Sequence, residues 1–497
     1  MKNLKNITFL MIISGAIFSC DTEDELIEER IKDNTTEIPY TQGEADFSNY
    51  VAIGNSLTAG LMDAALYTDG QNSAFPNLIG KQLVEAGFTS SFNQPDINAV
   101  NGYNISLNSN PAEATYGKYI LDTSIPGPVP TTPGDVITPY SGDKSELNNF
   151  GVPGLKIAEI NTPALANNGF YARFASNPGT STLIADILSS DPTFFTLWLG
   201  NNEILNYANA GGTGDDPLTT YSQAQFTTDY STVLGQLTKK EAKGVVLNIP
   251  PVLLVPYFRA VPYNPVPLDA TSAAQLNAGY STYNNGLQAA LMNNLIDKEE
   301  ADRRTIKFSE GQNAFVMVDE YLTDLSAFGL PNYRQTEATD LIPLPTSNAL
   351  STGVGTSSAA EDKYVLSLEE QTAVITAQAT YNAVISGIAT ATPGVDMFDV
   401  QPLFADLAGL TPEQAKMLAL TDKAQEAADG EKGLTYESVN IAPDFSPSGL
   451  FSTDGIHPNP RGHAIIANEL INFINDKYNA NIPLLNTTTY RTVLLKN

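Results

Sequence analysis

The amino-acid sequence predicts an α/β fold, a parallel, doubly wound sheet with helices on both faces. Two observations predict it. Apolar runs of strand length, such as Tyr50-Val51-Ala52-Ile53 and Thr193-Phe194-Phe195-Thr196-Leu197-Trp198-Leu199, read as buried strands. Stretches of helical period lie between them, so each strand is followed by a crossover rather than a hairpin. With 42% hydrophobic residues the chain can fill a sizeable core.

The elements follow in order. Residues 20–45 are polar and acidic and read as a tether. The first strand is expected near Tyr50–Ile53. A helix is expected from Ser73 to Ala86, where Phe75, Leu78, Ile79, Gln82 and Leu83 fall at helical spacing. Residues 87–146, rich in Asn, Pro, Thr, Ser and Gly, read as an insertion of loops and short strands. Short helices are expected over Leu155–Leu165 and Ser181–Leu188, then the aromatic and branched strand Thr193–Leu199. Ser222–Ala242 reads as a helix and Gly244–Ile249 as the next strand, closed by Pro250-Pro251. Residues 255–360 carry many Pro, Tyr and Asn and read as the largest insertion, a lid or side wall. Tyr364–Ala389 is a long helical stretch, and Val395–Phe398 is the final strand. Residues 400–450 form a third insertion. Arg461–Lys477 closes the core as a helix, with Ile466, Leu470 and Ile474 on one stripe. Residues 481–497 are a tail, and no internal repeat is present.

The formal net charge is −29. Such a chain repels phosphate backbones and anionic lipid surfaces, which argues against nucleic-acid binding. The N-terminus reads Met1-Lys2-Asn3-Leu4-Lys5, then an apolar run from Ile7 to Phe18. That is the pattern of a secretory signal, and the run is too short to span a bilayer. Ile17-Phe18-Ser19-Cys20 is similar to a bacterial lipobox, cleaved before the cysteine. The similarity implies a signal peptide over residues 1–19 and a lipid on Cys20. Loss of Lys2 and Lys5 would take the charge from −29 to −31. Cys20 is the only cysteine, which excludes an intramolecular disulfide and thiol chemistry in the core. Asp21-Thr22-Glu23-Asp24-Glu25 reads as a solvated linker, and resembles the acidic segment of surface-exposed lipoproteins. The expectation is an acidic body anchored by lipid to a bacterial outer membrane, with either face open.

Four short blocks carry the candidate chemistry. Asp454-Gly455-Ile456-His457 sets a carboxylate three residues before one of only two histidines. A carboxylate and an imidazole can meet across that turn, the arrangement that orients a general base. Ser56, in Gly54-Asn55-Ser56-Leu57, follows the first strand, where open α/β sheets place their chemistry. A serine hydroxyl needs such a base to act as a nucleophile. The other blocks are Asn149-Phe150-Gly151-Val152-Pro153-Gly154 and Leu199-Gly200-Asn201-Asn202-Glu203. His463, in the first turn of the expected last helix, reads as a surface or packing residue.

In this order the chain resembles the SGNH hydrolases, also called the GDSL family of esterases and lipases, from about Tyr50 to Lys477. The resemblance implies a three-layer α/β/α, flavodoxin-like core with long insertions. It implies ester hydrolysis with Ser56 as nucleophile, His457 as base and Asp454 orienting it. It assigns the oxyanion hole to the backbone N–H groups of Ser56 and Gly154 and the side-chain amide of Asn202. Gly151 and Asn201 are their register rivals. The sequence departs from the family at Asn55 and Glu203, where aspartates are usual. Those departures keep open a non-catalytic reading, a lipoprotein that binds glycan or lipid on a hydrolase scaffold.

Length alone suggests about three domains at roughly 150 residues each. Ser56 and His457 must meet, so the expectation is one catalytic unit over 46–480 with insertions. The expected partner is a lipid or glycan ester. No cofactor is implied, and two histidines with one lipidated cysteine make a zinc site improbable. The sequence lacks a Gly-x-Ser-x-Gly elbow and a Gly-rich phosphate loop. Gly211–Asp216 lacks calcium-loop spacing and reads as a solvated turn.

Overall fold

The computed structural model describes residues 39–110, 112–124, 127–416 and 432–496. The signal segment, Cys20 and the acidic residues through Glu29 lie outside the described residues, as do residues 417–431 of the third insertion.

Five strands build a parallel sheet: β1 (Tyr50–Gly54), β2 (Asn149–Gly151), β3 (Phe194–Trp198), β4 (Lys243–Leu247) and β5 (Val395–Phe398). Their spatial order is β2-β1-β3-β4-β5. Every residue of β1 and β3 is buried, which accounts for apolar runs without alternation. Gly54 at the end of β1 registers with Gly151 of β2 on one side and Trp198 of β3 on the other. Three C-terminal strand ends therefore lie side by side at one edge of the sheet.

Among the helices are α1 (Ser56–Ala59), α2 (Phe75–Glu85), α3 (Leu183–Ser189), α4 (Asn201–Asn209), α5 (Gln223–Leu237), α6 (Ala270–Met292), α7 (Leu368–Ala391) and α8 (Pro460–Tyr478). Alternate residues of β3 point one way: Phe194 meets Tyr478 at the end of α8, and Trp198 meets Phe75 at the start of α2. Helices α2 and α8 pack on each other, and so do α5 and α7, where Phe226 stacks on Tyr381 at 4.3 Å. Capping boxes open α5 at Ser222 and Gln225, and α7 at Ser367 and Glu370.

The structure departs from the sequence expectation in three places. Leu155–Leu165 is not a helix but two short 3₁₀ turns, Ile157–Glu159 and Pro163–Asn167. Pro163 has no N–H to continue a helix begun upstream, so it starts a new turn instead. The sequence marks β2 only as a motif; its three residues gain strand form from pairing with β1, not from an apolar run. Helix α4 follows Gly200 at φ +117° and is polar at its start, so no apolar period announced it.

The insertion over 255–360 has an apolar cluster of its own. Tyr283 and Leu287 of α6 pack there with Phe308 and Val316. Arg334 is fully buried and pairs with Asp319 and Asp340, so the charge is compensated on both sides. The C-terminal segment is tied back to the body. Asn468 of α8 exchanges two hydrogen bonds with the backbone of Leu485, and Leu121 exchanges two with Leu494 and Lys496. Among the described residues no helix is long and apolar enough to cross a membrane.

Candidate active site

The parallel register brings the blocks together. Ser56 opens α1 two residues beyond β1, and Asn202 lies in the first turn of α4 beyond the neighbouring strand β3. Asn55 caps α1, its side-chain oxygen accepting from the N–H of Leu57 at 3.1 Å. That oxygen does what an aspartate carboxylate would do at this position, which limits the consequence of the departure. His457 arrives from the loop before α8. Ser452 N–H donates to the His457 carbonyl at 2.7 Å and closes this loop. Within it, Gly455 has φ +75°, and a Cβ there would meet Tyr257 backbone nitrogen at 3.0 Å.

Ser56 Oγ lies 2.9 Å from His457 Nε2, and His457 Nδ1 lies 2.8 Å from Asp454 Oδ2. The serine and the histidine are 401 residues apart in sequence. Burial alone would raise the Asp454 pKa, but His457 beside it and hydrogen bonds from His457 and Ala64 outweigh burial and bring it down to about 2. Asp454 Oδ1 accepts from the N–H groups of Ile456 (2.8 Å) and His457 (2.9 Å), and Oδ2 accepts from Ala64 N–H at 2.9 Å. An ionised carboxylate only accepts, so His457 Nδ1 carries the proton. Nε2 is then the acceptor for the serine hydroxyl, the tautomer a general base needs.

The second histidine does none of this. His463 is fully buried on α8, stacks on Phe75 with ring centroids 6.4 Å apart, and accepts from Phe75 N–H through Nδ1 at 3.3 Å. Burial, aided by the nearby His457, lowers its pKa to about 3, so it stays neutral. It is a packing residue of the interior rather than a surface one.

The oxyanion candidates separate. Gly151 N–H is taken by the side chain of Asn149 at 2.9 Å, so this register rival is occupied. Gly154 is exposed in the turn after β2, at φ +83°, and is not among the residues that line the pocket at Ser56. Asn202 and Asn201 both line that pocket. One amide hydrogen of Asn202 goes to the Leu155 carbonyl at 2.9 Å, leaving the second for another acceptor. Glu203 is buried and accepts from Ile157 N–H at 2.7 Å. Asn202 and Glu203 thus hold the Leu155–Ile157 segment that follows Gly154.

Sequence reasoning missed the support behind Asp454. Asp63 and Ala64 both have positive φ, 55° and 58°, strained for residues with a Cβ. The strain aims Ala64 N–H at the Asp454 carboxylate. Asp63 holds the loop there: its carboxylate accepts from Thr453 N–H (2.9 Å), Thr453 Oγ1 (2.6 Å) and Tyr67 hydroxyl (2.7 Å). Arg491 of the C-terminal segment donates to the Tyr67 oxygen at 2.9 Å and to Asp69 at 2.7 Å. No motif in the sequence marks this network, because its members are brought together only by the fold.

A pocket of about 500 Å³, counting its open mouth, lies over Ser56 and His457. Asn55, Asn201 and Asn202 supply its other polar edge. The remaining walls come from Leu57, Leu205, Val252, Val255, Phe404 and Ile456, with Pro250 and Pro458. Phe404 belongs to the third insertion, and Val255 opens the largest one. Among the described residues none of the first insertion lines it. Among the described residues no group of three or more His, Cys, Asp or Glu is placed to hold a metal ion. Comparison with protein-family models, curated proteins and solved structures found no match to this chain.

Proposed function

We propose that this chain is a serine esterase of the SGNH type, which hydrolyses carboxylic esters through an acyl-enzyme. The observation that carries the reading is the Ser56–His457–Asp454 relay, with contacts of 2.9 Å and 2.8 Å. The sheet order β2-β1-β3-β4-β5 supports a flavodoxin-like, three-layer core, with the site at the switch point between β1 and β3.

In the first step Ser56 Oγ attacks the ester carbonyl while its proton passes to His457 Nε2. The Oγ–C bond forms and the carbonyl π electrons move onto oxygen. That oxyanion is met by the N–H of Ser56 and the free amide hydrogen of Asn202, and the family pattern would add the N–H of Gly154. Collapse breaks the C–O bond, and the leaving alcohol takes the proton from His457. Water then repeats the sequence on the acyl-enzyme and releases the acid and Ser56. Asp454 stays ionised throughout and stabilises the imidazolium. No cofactor enters these steps.

Labelling by a fluorophosphonate tests the reading, because only an activated serine reacts. Wild type should label at Ser56, and Ser56→Ala should not. Folded wild type that does not label would favour the non-catalytic binding scaffold instead. The anchoring proposal is separate. Cys20→Ala should move the protein from membranes to the soluble fraction, and an unlipidated mature N-terminus at another residue would remove it.

A further inference from the structure

We propose that the ester hydrolysed here carries a short hydrocarbon acyl chain, of the butyryl to hexanoyl class, seated in the pocket beyond Ser56; the proposal rests on the esterase reading. The pocket lining is of two kinds. Its polar groups are Asn55, Ser56, His457, Asn201 and Asn202, and its other walls are aliphatic or aromatic, with Leu205, Val252, Val255 and Phe404 among them. None of the described lining residues is a Lys, Arg, Asp or Glu.

Such a site suits a ligand with one polar end and an apolar remainder. The ester carbonyl matches the polar end, and a few methylenes match the rest. A sugar acetate would offer only a methyl group to these walls. Its ring hydroxyls, if seated against these apolar walls, would lose water without a partner on them. Leu205 lies on the same helix as Asn202 and one turn beyond Asn201, so the apolar wall begins on the side where the acyl carbonyl oxygen is held. The acyl group stays bonded to Ser56 Oγ there, while the alcohol leaves with the proton from His457 Nε2. The pocket volume of about 500 Å³ includes its open mouth, so a chain that outgrows these walls reaches solvent and gains nothing further.

The experiment uses the full chain and two ester series. One lengthens the acyl group from acetate to butyrate, hexanoate and dodecanoate with p-nitrophenol as the alcohol. The other keeps acetate and lengthens the alcohol; acetylated xylan is included. A buried methylene is worth about fourfold. The expected rise in kcat/KM from acetate to butyrate, two methylenes, is therefore about sixteenfold, with a plateau by hexanoate and no comparable rise along the alcohol series. Leu205→Trp should cut the hexanoate-to-acetate ratio by about tenfold or more. Acetate as the best acyl group, preference for acetylated xylan, or dependence on alcohol length would each overturn the acyl assignment. Fluorophosphonate labelling is run in parallel. Labelled wild type with a flat acyl profile overturns this inference alone; wild type that neither labels nor turns over any ester overturns the esterase reading with it.

Discussion

Glu203 should behave as a titrating group near neutrality, and Glu203→Gln should remove that behaviour. The side chain is buried directly after Asn202, with Oε1 on Ile157 N–H and no partner for Oε2 among the described residues. Burial raises its pKa from 4.5 to about 7; the Ile157 bond and Lys156 oppose the rise, and Glu159 adds to it. Tyr230, Tyr221 and Tyr381 face the same carboxylate, and its charge helps raise their own pKa values. The sign follows from proton counts. Between 4.5 and about 7 the folded state holds a proton that the unfolded chain has released. Folding is therefore favoured less as pH rises through this window. At 1.36 kcal/mol per pKa unit, the wild type loses about 2.5 kcal/mol between pH 5 and pH 8 that the glutamine variant does not.

Trp198, the one tryptophan in the chain, is fully buried at the end of β3 and reports unfolding of this region. Urea unfolding of wild type and Glu203→Gln, followed by its fluorescence at pH 5 and pH 8, gives the comparison directly. Glutamine keeps the acceptor for Ile157 N–H, so the pH-independent difference between the proteins cancels when the two pH values are subtracted. Other titrating groups, Glu370 at about 8 and Asp362 at about 6, are common to both proteins and cancel as well. The stability difference should shift toward glutamine by about 2.5 kcal/mol at the higher pH. A shift under about 0.5 kcal/mol would mean that Glu203 keeps an ordinary carboxylate pKa, and that burial is offset by contacts not described above.

Three further outcomes are expected. Ser56→Ala and His457→Ala should each remove most ester turnover and Asp454→Ala less, while double substitutions should cost little more than the worse single one; inactivation by His463→Ala with His457→Ala active would refute the triad. Asn202→Ala should lower kcat by about 10²–10³-fold with little change in KM, since the oxyanion exists only after attack; a larger loss from Asn201→Ala would put the register off by one. Tyr67→Phe strips one partner from the buried Asp63 carboxylate and should cost roughly 1–3 kcal/mol of stability. It should also lower kcat at constant KM, because Asp63 and Ala64 position Asp454; a stability loss with kcat intact would make the network purely structural.

What could be read from the sequence divides along a physical line. Strands β1, β3, β4 and β5 were legible because burial on both faces demands apolar runs, and a run is a local property. Helices α2, α5, α7 and α8 were legible for the same reason, through the period of one buried stripe. Ser56, His457 and Asp454 were legible because their blocks are short and local, and the Asp-x-x-His turn closes within four residues. Strand β2 was not, since Asn149-Phe150-Gly151 becomes a strand only by pairing with β1. Nor were the pocket walls, because Leu205, Val252, Val255 and Phe404 look like any other core residues until the fold leaves them facing one cavity. Asp63 is the sharpest case. It acts through a strained backbone pair, its partners are Tyr67 and Thr453, and Arg491 supports it from 428 positions further along. A residue whose role is to hold another in place carries no local signature. Candidate residues that sit in short local blocks are therefore easier to read from sequence than the residues that hold them in register.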